Sequence, residues 1–160
     1  MFREMRRARQ ALSREECEDI LRRGTSGVLA VTGDGGWPYA VPLSYCYRDG
    51  KLWFHCARAG HKLDALRREP RASFCVVGQD LVSPAEYTTH YRSVIAFGVV
   101  RELEGEEKRA AIEALAVKYA PGDSPEQRAR AIRREEGALC MLELEVAHLT
   151  GKQAKELLPK

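Results

Sequence analysis

The sequence has no apolar segment that could cross a bilayer and no sign of a secretory leader. Its longest uninterrupted apolar run covers residues 94–100, far short of the ~20 residues of a membrane-spanning helix. The first ten residues, MFREMRRARQ, are dense in charge, whereas a secretory signal needs an apolar stretch at this point. We therefore expect a cytoplasmic protein with no membrane partner.

The sequence also lacks a strong excess of charge of either sign. Lys and Arg number 26 and Asp and Glu number 23, which gives a formal net charge of +3. Proteins that coat nucleic acid normally carry a larger positive excess. The arginines of residues 128–134 are interleaved with alanines and Ile132, as on a solvated helix face. We expect no nucleic acid among the partners.

Paired cysteines are absent as well. The five cysteines are Cys17, Cys46, Cys56, Cys75 and Cys140. They are odd in number, widely spaced and never arranged as Cys-x-x-Cys, which argues against a disulfide framework and a zinc site. His90 and His148 add no ligand spacing typical of zinc. We expect reduced, mostly buried thiols and no metal.

What the sequence does contain is enough for one folded unit. Its 160 residues are 44% hydrophobic and 31% charged, and a domain of this size buries roughly two-thirds of its unfolded surface. No repeat, low-complexity tract or linker interrupts the chain. We predict a single domain over residues 1–160 that ends in a short charged tail at residues 152–160.

Helical periodicity and capping signals mark the helices. Ser13 and Glu16 form a capping box, and Ser124 with Pro125 supplies an N-cap and a proline at the first helical position. The predicted helices cover residues 13–23, 60–68, 106–119 and 124–137.

Alternating apolar residues and tight turns mark six strands. The strands are predicted at residues 28–31, 39–47, 52–55, 72–77, 91–103 and 139–149. Turns at residues 33–36 and 49–50 join the first three as hairpins. Gly98 inside a long strand indicates a bulge or the close approach of another group. There are too few parallel crossovers for a doubly wound sheet, so we predict an α+β fold around a small antiparallel barrel.

Four ordered motifs span nearly the whole chain. They are Tyr39-Ala40-Val41-Pro42, Leu52-Trp53-Phe54-His55-Cys56-Ala57 through Gly60-His61-Lys62, Tyr91-Arg92-Ser93-Val94-Ile95-Ala96-Phe97-Gly98, and Leu149-Thr150-Gly151-Lys152-Gln153. Together they resemble the pyridoxamine 5′-phosphate oxidase-like, FMN-binding split-barrel superfamily, and within it the nitroimidazole-resistance (Nim) type of flavin-binding protein. The resemblance implies an antiparallel split β-barrel with flanking helices, FMN as cofactor, and a homodimer whose FMN sites lie at the subunit interface.

Gly60-His61-Lys62 stands where a strand gives way to a helix. Free backbone N–H groups, the positive end of the helix dipole and two basic side chains meet there, which suits a phosphate. A glycine turn with ordinary solvated charges is the alternative. The resemblance assigns these basic positions to the FMN phosphate.

His55 alternates with Trp53 and Ala57 on one strand face, opposite Phe54 and Cys56. It can therefore point away from the core toward a ligand, although a hydrogen-bonded structural histidine is the alternative. The matching histidine of the Nim-type proteins lies close to the flavin ring, so the resemblance makes His55 the catalytic candidate. It also places all four residues from 54 to 57 in the cofactor site.

Two further segments complete the expected FMN site. Pro42 cannot donate to a strand ladder, so its strand must have an edge or a split there, and the resemblance has Val41, Pro42 and Leu43 meet the flavin ring. Arg92-Ser93 resembles the Arg-Gln start of a strand that reaches the flavin of the partner subunit, with serine in place of glutamine. A surface ion pair is the alternative for Arg92.

These expectations favour an FMN-dependent reductase of small electrophiles such as nitroaromatic or 5-nitroimidazole compounds, with a nicotinamide or other electron donor. A pyridoxamine phosphate oxidase is the first alternative, but residues 156–160, Glu-Leu-Leu-Pro-Lys, lack the arginines that those oxidases place near their end. A non-enzymatic flavin-binding or ligand-sensing module is the second alternative, because binding FMN and using it rely on the same contacts.

Overall fold

In the part of the chain that the structure describes, four α-helices form where periodicity and capping signals predict them. The computed structural model describes residues 1–159, and its helices are α1 (Arg14–Arg23), α2 (His61–Arg68), α3 (Gly105–Tyr119) and α4 (Pro125–Glu135). Ser13 accepts a hydrogen bond from the Glu16 amide, and Ser124 accepts one from the Gln127 amide, so both helices begin with a capping box. No helix in residues 1–159 has both the length and the apolar character needed to cross a bilayer.

Seven strands form one antiparallel sheet, so the α+β prediction is confirmed. The strands are β1 (Ser26–Thr32), β2 (Pro38–Ser44), β3 (Cys46–Arg48), β4 (Lys51–Ala57), β5 (Arg71–Ser83), β6 (Thr88–Leu103) and β7 (Leu139–Gln153). Their order across the sheet is β2-β1-β5-β6-β7-β4-β3. The prediction of six strands was wrong, because the run over residues 39–47 is two strands.

Tyr45 separates these two strands and joins the two ends of the sheet. Its side chain is fully buried, and its hydroxyl donates to the carbonyl of Leu21 (2.7 Å). The alternation of apolar residues continues through it, which is why the sequence reads as one strand. Since β2 and β3 lie at opposite ends of the strand order and are one residue apart, the sheet must curl until its ends meet. β2 also contacts β4.

Three strands are longer than the periodicity predicts. β5 continues to Ser83 and β6 begins at Thr88, so the two form a hairpin across residues 78–90, for which no strand is predicted. β7 extends to Gln153 and pairs there with Arg92 of β6. The predicted tail over residues 152–160 therefore begins two residues too early, because cross-strand pairing holds Lys152 and Gln153.

The predicted irregularity at Gly98 is confirmed. The pairing of β6 with β7 shifts register between Phe97 and Gly98. A Cβ atom on Gly98 would come within 2.0 Å of the Glu145 carbonyl oxygen, so only glycine fits this close backbone approach.

The sheet has a hydrophobic core on each face. Leu52 and Phe54 of β4 point into the main core, to which α1 and α2 also contribute side chains. Trp53 of β4 and Met141 of β7 point to the other face, where α3 and α4 cover them. This outer layer is the part of the fold that encloses one side of β4.

Candidate functional site

The predicted alternation along β4 is confirmed. Phe54 is fully buried and Cys56 is nearly so, whereas His55 and Ala57 are exposed on the opposite face. The Phe54 side chain is therefore not available to a ligand. His55 and Ala57 present their side chains on the surface that the α3–α4 layer borders.

The outer edge of β2 carries backbone groups that no strand pairs with. The Gly33 amide donates to the Trp37 carbonyl at the end of the β1–β2 hairpin (2.8 Å). Hydrogen-bonded and non-bonded pairs alternate along antiparallel strands. Val41 and Leu43 therefore bond to β1, and Pro42 directs its backbone outward. Of the three residues expected at the flavin ring, Pro42 is thus the one whose backbone carbonyl is not engaged by β1.

β4 has a matching free edge. The Val146 amide donates to the Gly50 carbonyl (2.9 Å) beside the β4–β7 ladder. The same alternation means that His55 and Ala57 direct their N–H and C=O groups away from β7. β3 pairs with β4 only as far as Trp53, so these groups have no strand partner among residues 1–159. We call the gap between residues 40–44 of β2 and residues 54–57 of β4 the split.

One end of the split opens onto a small polar pocket at the start of α2. This turn pocket has a volume of about 180 Å³ and is lined by Tyr39, Cys56, Ala57, Ala59, Gly60, His61, Lys62 and Leu63. Gly60 precedes the helix with φ of 135°, and a Cβ atom there would meet nothing within 4 Å. The first amides of α2 have no acceptor within the helix and border this pocket, as an anion site requires.

The two basic side chains of the turn pocket are not equivalent. The His61 ring stacks on Tyr39 with 4.2 Å between ring centroids, and its Nε2 lies 3.7 Å from Asp34 Oδ2. Asp34 is also paired with Arg68 (2.6 Å). Lys62 makes no ion pair within residues 1–159. Lys62 is thus the cation that remains available to a ligand.

The thiols beside the turn pocket are poor nucleophiles. Cys56 of β4 lies directly opposite Cys140 of β7. Burial raises the pKa of Cys56, and burial together with the neighbouring Cys56 raises the pKa of Cys140 to about 12. Both are neutral thiols near pH 7, so thiolate chemistry is not available there. No group of three His, Cys, Asp or Glu side chains arranged for a metal occurs in residues 1–159.

The other end of the split opens onto a larger apolar space under the outer helices. This helix cavity has a volume of about 350 Å³, and Ser44 of β2 and His55 of β4 form its wall on the side of the split. The opposite wall comes from α3, α4 and β7. Sequence reasoning missed these helical residues, because nothing in their local pattern distinguishes a cavity wall from an ordinary apolar helix face.

Arg92 and Ser93 lie apart from both pockets. Arg92 donates from Nε to Gln153 Oε1 (3.3 Å) and borders a polar pocket between α1 and the β5–β6 hairpin. Ser93 is paired with Val77 and Lys152 in the sheet. Within one chain, the structure does not bring Arg92 and Ser93 together with residues 60–62.

Comparison with known proteins supports the resemblance drawn from the motifs. Residues 13–153 match the sequence pattern of the pyridoxamine 5′-phosphate oxidase family, which is most of the chain. The chain belongs to this family. No curated protein sequence matches it.

Several solved structures share the fold of this family member at low sequence identity. A candidate 5-nitroimidazole antibiotic resistance protein from Bacteroides thetaiotaomicron has 22% identity and a TM-score of 0.76, over 89% of this chain and 86% of that one. A conserved hypothetical protein from Mycobacterium tuberculosis has 22% identity and a TM-score of 0.81, over 98% and 95%. A FAD-binding protein from Mesorhizobium loti has 24% identity and a TM-score of 0.66, over 91% and 98%. At such identities the likeness shows the fold.

Proposed function

We propose that the protein binds a flavin mononucleotide, FMN, along the split, with the phosphate in the turn pocket. The carrying observation is that the free backbone edges of β2 and β4 border the same gap, which ends at an open helix N-terminus with a free lysine. Lys62, His61 and the first amides of α2 would hold the phosphate.

The flavin ring would lie along the split. Its heterocyclic edge needs both donors and acceptors, and the outward N–H and C=O groups of His55 and Ala57 with the Pro42 carbonyl supply them. His55 lies two residues before Ala57, roughly 7 Å along the strand. When bound, the flavin supplies hydride and electron transfer chemistry. The protein's own task is to hold the ring and to exclude water from one side.

The curled sheet is, in this proposal, a split barrel that works as a homodimer. The β5–β6 hairpin exposes Val77 (61%), Leu81 (59%), Val82 (65%) and Tyr87 (97%). Apolar side chains in one contiguous hairpin are characteristic of protein–protein contact. A second copy would cover these side chains. It would also bring Arg92 and Ser93 of the partner subunit to the split, because a chain's own Arg92 and Ser93 lie away from it.

The reaction we propose is the reduction of a small organic electrophile such as a nitroaromatic compound, with a nicotinamide as electron donor. His55 has a surface-facing imidazole next to the split and makes no side-chain hydrogen bond within residues 1–159. An imidazole in this position can give a proton to a substrate that gains negative charge during reduction.

The test is the visible spectrum of the purified protein with added FMN, followed by anaerobic addition of NADH or NADPH. A yellow protein that bleaches supports the reductase. A yellow protein inert to both donors restricts the proposal to flavin binding, and a protein that takes up neither FMN nor FAD overturns it. Uptake of FAD but not of FMN would show that the cofactor is FAD.

Assembly has its own test. Light scattering of the flavin-loaded protein should give about twice the 18.0 kDa of one chain, since an interface with this apolar hairpin should survive micromolar dilution. Leu81→Asp on the hairpin should give monomers that have lost flavin affinity. A flavin-loaded monomer of the unchanged chain would contradict the shared site.

A further inference from the structure

The helix cavity offers a binding site that the contacts to a flavin do not use. Its volume of about 350 Å³ lies in the range of small-molecule sites. Most of its wall consists of apolar side chains from α3, α4 and β7, namely Ile112, Leu115, Ala116, Ile132, Leu139 and Met141. A flavin nucleotide phosphate would find no partner among them.

The few polar groups of the cavity lie at its margins. Ser44 and His55 border it from the split, and exposed Glu135, paired with Arg134 (2.8 Å), borders it from α4. The Tyr119 hydroxyl is already engaged by the backbone of Thr25 and of Tyr45. Hydrogen bonding to a ligand is therefore concentrated on the side nearest the split.

Of residues 1–159, no arginine or lysine lines the cavity, and His55 at its margin is the lining residue that can become a cation. An anionic ligand would lose its hydration against walls that carry no fixed positive charge, which is costly in an apolar site. The turn pocket, with Lys62, has the opposite character. The two ends of the split thus select for opposite kinds of chemical group.

The wall formed by α3 is fixed at both ends, so the cavity is preformed. Near its start, Glu107 pairs with Arg101 (2.8 Å), which also pairs with buried Glu143 (2.8 Å). At its end, Lys118 donates to the Gly24 carbonyl, and Tyr119 binds the β2–β3 junction. A cavity whose walls are held in this way need not be opened by the ligand.

We propose that the helix cavity binds the organic substrate, and that this substrate is a neutral, flat, mainly apolar molecule of one or two aromatic rings. It would place its polar group toward His55 and Ser44 and its ring system against α3 and α4. This inference rests on the proposed function, because the split beside the cavity is where the flavin ring would lie. Phosphorylated substrates, including those of a pyridoxamine phosphate oxidase, are excluded from this cavity by charge.

The test is calorimetric titration with 2-naphthol as a neutral aromatic probe and 2-naphthoate as its anionic counterpart. The FMN-loaded protein should bind 2-naphthol about tenfold or more tightly than 2-naphthoate, because the anion must lose its hydration against walls with no fixed positive charge. Ala131→Phe, which adds a ring at the cavity wall, should weaken 2-naphthol binding by about tenfold or more. Ala110→Phe, on an exposed position of α3 outside the cavity, is the matched control and should change it by less than about twofold.

The same variants show whether a substrate, the flavin ring or a second copy of the chain occupies the cavity. Equal binding of the two probes, or unchanged 2-naphthol binding in Ala131→Phe, overturns the proposal. Loss of FMN from Ala131→Phe would mean that the cavity holds the flavin ring, and a change in its oligomeric state would mean that a second copy covers the cavity. Both results overturn it. Titration of flavin-free protein keeps the test independent of flavin binding: 2-naphthol binding without FMN uptake would reject the proposed cofactor and keep the cavity.

Discussion

The turn pocket and the helix cavity lie at opposite ends of one split but are built in different ways. Four consecutive residues, from Gly60 to Leu63, form much of the turn pocket, and its character comes from helix amides and a free cation. The helix cavity draws on β2, β4, α3, α4 and β7, and in the described part of the chain no arginine or lysine lines it. In the proposed function, holding the flavin and choosing the substrate are therefore assigned to different pockets.

The largest expected effect is on turnover, at the helix-cavity end. His55→Ala should retain FMN, because the phosphate contacts lie in the turn pocket, but should reduce a nitro substrate about 10² to 10⁴ times more slowly if the imidazole donates a proton. The measurement is flavin occupancy by absorbance together with the anaerobic reduction rate from pH 5 to 9. A wild-type rate across this range would make His55 structural.

Substitutions in the turn pocket should weaken the binding of FMN. Removing both His61 and Lys62 with alanine should weaken FMN binding by about tenfold to several hundredfold, since a charge-assisted hydrogen bond contributes about 1.5 to 3 kcal/mol. Fluorescence quenching of FMN on titration measures it. Lys62→Ala alone should account for most of the loss, because His61 is shared with Tyr39 and Asp34.

Arg67→Ala is the matched control for this pair of substitutions. Arg67 lies on the same helix and carries the same charge as Lys62, but it pairs with Glu102 (2.7 Å) outside the turn pocket. The FMN affinity of the Arg67→Ala variant should stay near that of the wild type. Unchanged affinity in the double variant would place the phosphate elsewhere.

Glu143 supports the α3 wall of the helix cavity through Arg101 and lies outside the turn pocket. Burial would raise the pKa of Glu143, but its hydrogen bonds from Trp53, Arg101 and Lys51 outweigh burial and lower it. Glu143→Gln should lower the free energy of unfolding at pH 7 by about 2 kcal/mol and leave FMN affinity nearly unchanged. Urea unfolding and FMN titration measure the two quantities.

The pH dependence of this effect has a definite sign. A carboxyl whose pKa is lower in the folded state stabilises the fold above its unfolded pKa and loses that contribution as the pH falls through the folded value. The difference between wild type and Glu143→Gln should therefore be full at pH 7 and shrink below the ordinary glutamate value of 4.5. A difference that is constant down to pH 2 would show that packing, not charge, is responsible.

The smallest expected effect is on FMN affinity when Tyr39 of the turn pocket is replaced. Tyr39→Ala removes the ring that stacks on His61 and should weaken FMN binding by about fivefold, in line with about 1 kcal/mol for an aromatic pair. Tyr39→Phe keeps the ring and should bind like the wild type. Equal losses in both variants would assign the effect to the hydroxyl instead.

Much of the turn pocket could be predicted from the sequence, and little of the helix cavity. Gly60, His61 and Lys62 are neighbours in the chain, so their meeting at a helix start follows from local geometry. Ser44, His55 and Ile132 meet only after β2, β4 and α4 have packed. No local periodicity states which distant helix covers which strand face.

The sequence by itself determined the helices, most of the strands, the bulge at Gly98 and the outward face of His55, because capping, periodicity and close backbone approach act over a few residues. Only the tertiary structure decided that the chain breaks at Tyr45, that Pro42 rather than Val41 or Leu43 has free backbone groups, and that α3 and α4 enclose a cavity beside His55. These features depend on which strand pairs with which and in what register, and such long-range contacts leave no trace in local spacing.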